Sequence, residues 1–143
     1  METKSESQTS DQQLAYALLR IIVGMNLLMH GAGRIIAGTG EFAAKLVTQF
    51  ERAPLPAWSV WAFGLTLPAI EGILGILLLL GLRTRAALIA ASLLILVLTF
   101  GSALIQDWPA ASIQLTYAAV YSALLFLIRY NGWSIDAWMA RRS

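Results

Sequence analysis

The sequence predicts an all-α integral membrane protein, a four-helix bundle in one domain, on three observations. Hydrophobic residues make up 58% of the 143 and charged residues only 13%, against roughly half apolar and about a quarter charged in soluble domains. Two stretches, 86–106 and 108–128, carry no charge at all, and about 20 apolar residues rising 1.5 Å each cross a bilayer core of about 30 Å. Two further apolar stretches carry only isolated ionisable residues: Glu71 within 58–82, and Arg20, His30 and Arg34 within 14–37.

The same composition narrows function. A net charge of +2 with no Lys/Arg-rich run leaves no footprint for nucleic acid. Zero cysteines exclude disulfides, Cys-ligated zinc, Fe–S clusters and thiol redox steps within the chain, and one histidine excludes a bis-His haem or multi-His metal site from a single copy. No metal motif, phosphate loop, Ser/His/Asp triad or paired-carboxylate site is evident.

Residues 1–13, METKSESQTSDQQ, read as a polar tail without the basic start and cleavage site of a signal peptide, so the first helix is expected to be retained. The domain then occupies 14–138, with spans at about 14–37, 58–82, 86–106 and 109–130 and a basic tail at 139–143. In the connection 38–57, Phe42, Leu46 and Phe50 recur every fourth residue among Glu41, Lys45, Glu51 and Arg52. That pattern predicts an amphipathic helix at the membrane interface, ended by Pro54 and Pro56. Beyond the fourth span, Gly132 is placed to stop the helix and Ser134 to cap a short last one, with Trp133 and Trp138 at headgroup level. Lys4, Arg83, Arg85, Arg129, Arg141 and Arg142 fall on one side and Arg34, Lys45 and Arg52 on the other. The positive-inside rule then puts both termini in the cytoplasm, and the protein in the inner membrane.

Ionisable groups at membrane depth need a partner or a purpose. At 100° per residue, Arg20, Gly24, Leu27, Gly31 and Arg34 share one face of the first helix, with His30 at its edge and Asn26 beyond. Gly64, Pro68, Glu71 and Gly75 form a matching face on the second, so the two faces are expected to meet. Arg20 is estimated at about 8 Å to the cytoplasmic side of the middle of its span, and His30 about 7 Å to the other. This places Arg20 to reach Glu71 from below and His30 from above, while Arg34 snorkels outward. The expected Arg20–Glu71 pair reads equally as an ion pair fixing helix neighbours and as a proton-active or carbonyl-binding site; for His30 alone a satisfied core role is preferred. Ser92, Thr99 and Ser102 on the third span, and Gln114, Tyr117 and Tyr121 on the fourth, read as interhelical hydrogen-bond glue. Tyr117 and Tyr121 are also able to wall a pocket for a flat ligand, although plain packing accounts for them.

Three patches carry a family resemblance: LLRIIVGMNLLMHGAGRI at 18–35, EGILGILLLLGLRTRAA at 71–87 and NGWSIDAW at 131–138. In order and spacing they resemble the DoxX family of small four-helix bacterial membrane proteins, with Arg34 where lysine is commoner. The resemblance implies signature roles for Arg20, His30, Glu71 and Arg85, and a link to DoxD, the membrane subunit of a thiosulfate:quinone oxidoreductase. It implies a subunit of a quinone-linked oxidoreductase or respiratory-type complex, surrounded by lipid and other membrane subunits. In this chain any redox role would rest on a bound quinone or on partners, not on enzymic chemistry of its own. A non-catalytic assembly subunit and a small-solute or proton conduit are the competing expectations.

Overall fold

The computed structural model describes the backbone of residues 2–142 and the side chains of residues 9–142. Among these the chain is all-α, with helices α1 (Glu2–Ala37), α2 (Thr39–Gln49), α3 (Ala57–Leu80), α4 (Thr84–Leu104), α5 (Trp108–Phe126) and α6 (Ile135–Ala140), and a 3-10 turn at Ile128–Tyr130. Four segments are long and apolar enough to cross a membrane: Thr9–Ala37, Ala57–Leu80, Thr84–Leu104 and Trp108–Phe126. Helix α1 runs back through the polar segment as far as Glu2, and α5 stops at Phe126 rather than near residue 130. Met1 and Ser143, and the side chains of residues 2–8, lie outside the described residues.

Helices α1 and α3 pack antiparallel and very close. A Cβ on Gly24 would fall 2.8 Å from the Leu79 backbone nitrogen, one on Gly31 2.6 Å from that of Gly72, and one on Gly75 2.7 Å from Leu28 Cα. Small residues of this kind let backbones approach where lipid gives no hydrophobic drive to associate. Helix α2 docks the same way, with fully buried Ala43 against Gly64, 2.8 Å from its would-be Cβ to Ala43 Cα. The core of the bundle is apolar: Val23, Leu27, Leu74, Leu78, Leu88, Ala91, Ile95 and Leu124 are buried. Outward positions such as Ile22, Met29, Ile73, Leu93, Leu96 and Leu115 are exposed, as a lipid-facing surface requires.

The chain turns follow standard end chemistry. Gly81 closes α3 in the left-handed conformation, φ 64°, with Leu82 N–H donating to Leu77 O and Gly81 N–H to Leu78 O, a Schellman close. Asp107 caps α5 by accepting from Ala110 N–H at 3.1 Å, and Ser134 caps α6 by accepting from Ala137 N–H at 3.1 Å. The expected polar glue on α4 is mostly internal. Ser92 donates to Leu88 O and Thr99 to Ile95 O, each satisfying its hydroxyl one turn back on its own helix. Only Ser102 of that stripe bridges helices, accepting from Gln114 Nε2 at 3.0 Å.

Gly75→Val is expected to lower stability by about 1–3 kcal/mol through overpacking against Leu28. Gly33→Ala, where no atom lies within 4 Å of the new Cβ, serves as the neutral control. Thermal unfolding in detergent distinguishes the two, and equal effects would show that close α1–α3 approach is not what holds the bundle.

Candidate functional site

Glu71 is the most deeply placed acidic side chain among the described residues, 3% exposed and near the middle of α3. Its partner is Arg34, not Arg20: Arg34 Nη1 donates to Glu71 Oε2 in an ion pair. Arg34 stays partly exposed and lays its guanidinium over the Phe42 ring of α2, 4.5 Å from the centroid, a cation–π contact. The expected Arg20–Glu71 pair therefore does not form.

The helix register explains the exchange. Contacts pair Gly24 with Leu79, Leu28 with Gly75 and Gly31 with Gly72, so each step up α1 is a step down α3. Extending the series places Arg20 beyond the last turn of α3 and Arg34 within a turn of Glu71. The depth estimate had centred both helices at one level, whereas glycine contacts set the offset between them.

Arg20, 2% exposed, closes the opposite end. Nη1 donates to the carbonyls of Leu78 and Leu79, the latter at 3.0 Å, and Nη2 to Trp133 O at 2.7 Å. The Leu78 and Leu79 carbonyls lie in the last turn of α3, where no N–H of the helix itself reaches them, at the negative pole of its dipole. A Cβ on Gly81 would stand 2.7 Å from Arg20 Nη1, so glycine there serves both the turn and the arginine. Across the turn, Asp136 accepts from Arg83 N–H at 2.6 Å and Thr84 N–H at 2.7 Å. It thereby caps α4 from another element. Asp136 N–H donates to Gly81 O at 3.0 Å, and Asn131 Nδ2 to Thr84 Oγ1 at 2.9 Å. Arg20 thus belongs to a structural clamp that ties α1, the α3–α4 turn and the C-terminal segment together.

The remaining candidates do converge. Asn26, His30, Arg34, Glu71, Tyr117 and Tyr121 all line one cleft of about 190 Å³ between α1 and α5, with Gln114 and apolar Leu27, Ile95, Leu98, Ala110 and Ile113. Tyr117 and Tyr121 stack with centroids 6.3 Å apart and planes at 28°. His30 Nδ1 lies 2.9 Å from Asn26 O. A carbonyl oxygen only accepts, so Nδ1 is the donor in this contact and Nε2 is left facing other partners. Gln114 Oε1 is buried without a hydrogen-bond partner, so the cleft holds an acceptor that a ligand hydroxyl or a water could satisfy. Gln114 was legible only as helix glue, because nothing in its own neighbourhood shows that α1 lies opposite.

Residues 12–112 match the family described as methylamine utilisation protein MauE. The chain belongs to the MauE family. No curated protein and no solved structure matches it. With its four span-length helices it is a multi-pass membrane protein, and the DoxX resemblance is overturned. Arg20, Gly24, Gly31, Gly75 and Gly81 are spent on close α1–α3 approach and on ending α3, and the NGWSID patch on the clamp. Any small bundle with that packing needs such residues, and the third patch lies outside the matched region altogether. The patches are a signature of architecture more than of family.

Burial raises the Asp136 carboxyl, but hydrogen bonds from the Thr84 backbone and hydroxyl, the Arg83 backbone and the Arg20 charge outweigh it and hold it below its ordinary value. A depressed folded-state pKa gives stability that is present above the unfolded value of about 3.9 and is lost as pH falls through the folded one. Wild-type stability in detergent is therefore expected to drop below about pH 4. Asp136→Ala should be less stable at pH 7 and show a shallower acid loss, and an unchanged acid profile would remove Asp136 from the clamp's electrostatics.

Proposed function

We propose that the protein is a small cytoplasmic-membrane subunit serving methylamine utilisation beside other membrane proteins, and that its own contribution is to hold a quinone head group in the α1–α5 cleft. The observation behind this reading is the convergence of His30, Arg34, Glu71, Gln114, Tyr117 and Tyr121 on one space between the helices. A bound quinone would supply the electron-carrying step that a chain without cysteine or a haem-ligand pair lacks. The residues suit such a group. Arg34 has five N–H donors and commits one to Glu71, leaving others for a carbonyl. His30 Nε2 and Gln114 Oε1 are left to hydrogen-bond a hydroxyl, and the Tyr117–Tyr121 pair offers an aromatic wall to a flat ring.

Methylamine itself is a poor occupant of this cleft. It is a cation at neutral pH, and Arg34 already neutralises Glu71, so no net negative charge is left to hold it. A conduit is equally disfavoured. Between the cleft and the Arg20 clamp the buried residues Val23, Leu27, Leu74, Leu78, Leu88 and Leu124 are all apolar, a barrier to ions and polar solutes. The basic residues Arg83, Arg85, Arg129, Arg141 and Arg142 gather at the clamp end, which supports cytoplasmic termini. Helix α2 would then lie at the outer interface, Glu41 and Lys45 outward and Phe42 on the bundle.

Quinone titration of the purified protein in nanodiscs tests this. Wild type should bind a chain-free benzoquinone, and Glu71→Gln or His30→Ala should each weaken binding by about tenfold, the worth of one good polar contact. Absence of binding by wild type, or affinity unmoved by both substitutions, would sink the reading.

A further inference from the structure

The polar cleft is not closed. Arg34, Leu98, Ala110 and Gln114 line it and also line a second, larger cavity of about 560 Å³ beneath α2. The second space is different in chemistry: Phe42, Leu46, Phe50, Val60, Phe63 and Leu67 are among its walls. Helix α2 forms its roof, held by Ala43 on Gly64 and by the Arg34–Phe42 contact. Its polar residues include Ser59, Gln49 and Asp107, which sit at or next to the ends of α2, α3 and α5.

Most of its wall is apolar, and the polar residues Arg34, Gln49, Ser59, Ser102, Asp107 and Gln114 are the minority. An aliphatic chain laid along the apolar part of the wall buries apolar surface there. At roughly 30 Å³ per water-sized group, the space takes on the order of fifteen to twenty carbons. The junction is the decisive feature. Arg34 and Gln114, which present charge-assisted donors and an unpartnered acceptor, stand where the apolar space meets the polar one. A molecule with a polar ring at one end and a hydrocarbon chain at the other satisfies both spaces at once; a chain-free solute leaves the larger empty.

We propose that the two cavities form one site for a single amphiphile, with its polar ring in the α1–α5 cleft and its isoprenoid chain beneath α2. This rests on the cleft being a quinone-head site, as proposed above, and adds the ligand's chain, its place and the role of α2 as the cover of the chain chamber. Helix α2 is thus a specificity element for chain length, positioned by Ala43 and Phe42.

The test compares a chain-free benzoquinone with analogues bearing two and four isoprene units, titrated into the protein in nanodiscs. Leu46→Trp and Ser59→Phe fill the chamber from two different elements, and each variant-to-wild-type ratio at a fixed analogue cancels partition into lipid. The expected result is tighter binding of the chain-bearing analogues by wild type. In both variants that gain should fall by about tenfold or more, as expected for excluding several buried methylenes, with chain-free binding unchanged. If the chain-free compound binds but the variants leave chain dependence intact, the two-chamber inference falls while the head-group reading stands. If the chamber is filled by a bilayer lipid instead, chain length makes no difference to wild type, which also overturns the inference alone. If the chain-free compound does not bind wild type, both fall together.

Discussion

The glycine-lined contact between α1 and α3 is the constraint on which the rest of the structure depends. In a bilayer, apolar side chains gain little by leaving lipid for one another, so close backbone approach and polar contacts carry more of the association. Gly24, Gly31 and Gly75 permit that approach, and by doing so they fix an antiparallel register. From that single register follow the two buried charges' fates: Arg20 reaches the carbonyl end of α3, and Arg34 reaches Glu71.

The two arginines illustrate different solutions to one problem. Arg20 is almost wholly buried and is held by neutral carbonyls at a helix C-terminus, where the dipole favours a cation without a carboxylate. Arg34 is partly exposed and shares its charge between Glu71 and the face of Phe42. The first arrangement is closed by surrounding elements and builds the clamp. The second borders open space, together with His30, Gln114 and two tyrosines, and so leaves polar groups for a ligand. The bundle is stiff and satisfied at one end, and hollow and polar toward the other.

Much of the fold was legible because its signals are local. Spans read off as apolar runs, Ser134 marked the start of the last helix, and the Phe42–Leu46–Phe50 period marked a helix that the structure places at Thr39–Gln49. Side-chain pairing was not legible, because it depends on the offset between helices distant in sequence. Arg20 and Glu71 looked like partners when both spans were centred at one depth, and glycine contacts shift them apart. The cleft was half legible: Asn26, His30, Arg34, Glu71, Tyr117 and Tyr121 were singled out, but only the tertiary structure adds Gln114 and joins the cleft to the chamber under α2. The family was misread for the related reason that motifs serving packing and helix ends recur wherever that packing does.

The most direct test is a pair of double-mutant cycles on unfolding free energy, one for Arg34→Gln with Glu71→Gln and one for Arg20→Gln with Glu71→Gln. The register requires a coupling of about 0.5–3 kcal/mol in the first cycle, as for residues in direct contact. In the second it requires additivity to within about 0.5 kcal/mol. Strong coupling between Arg20 and Glu71, with Arg34 and Glu71 additive, would contradict both the register and the site built on it.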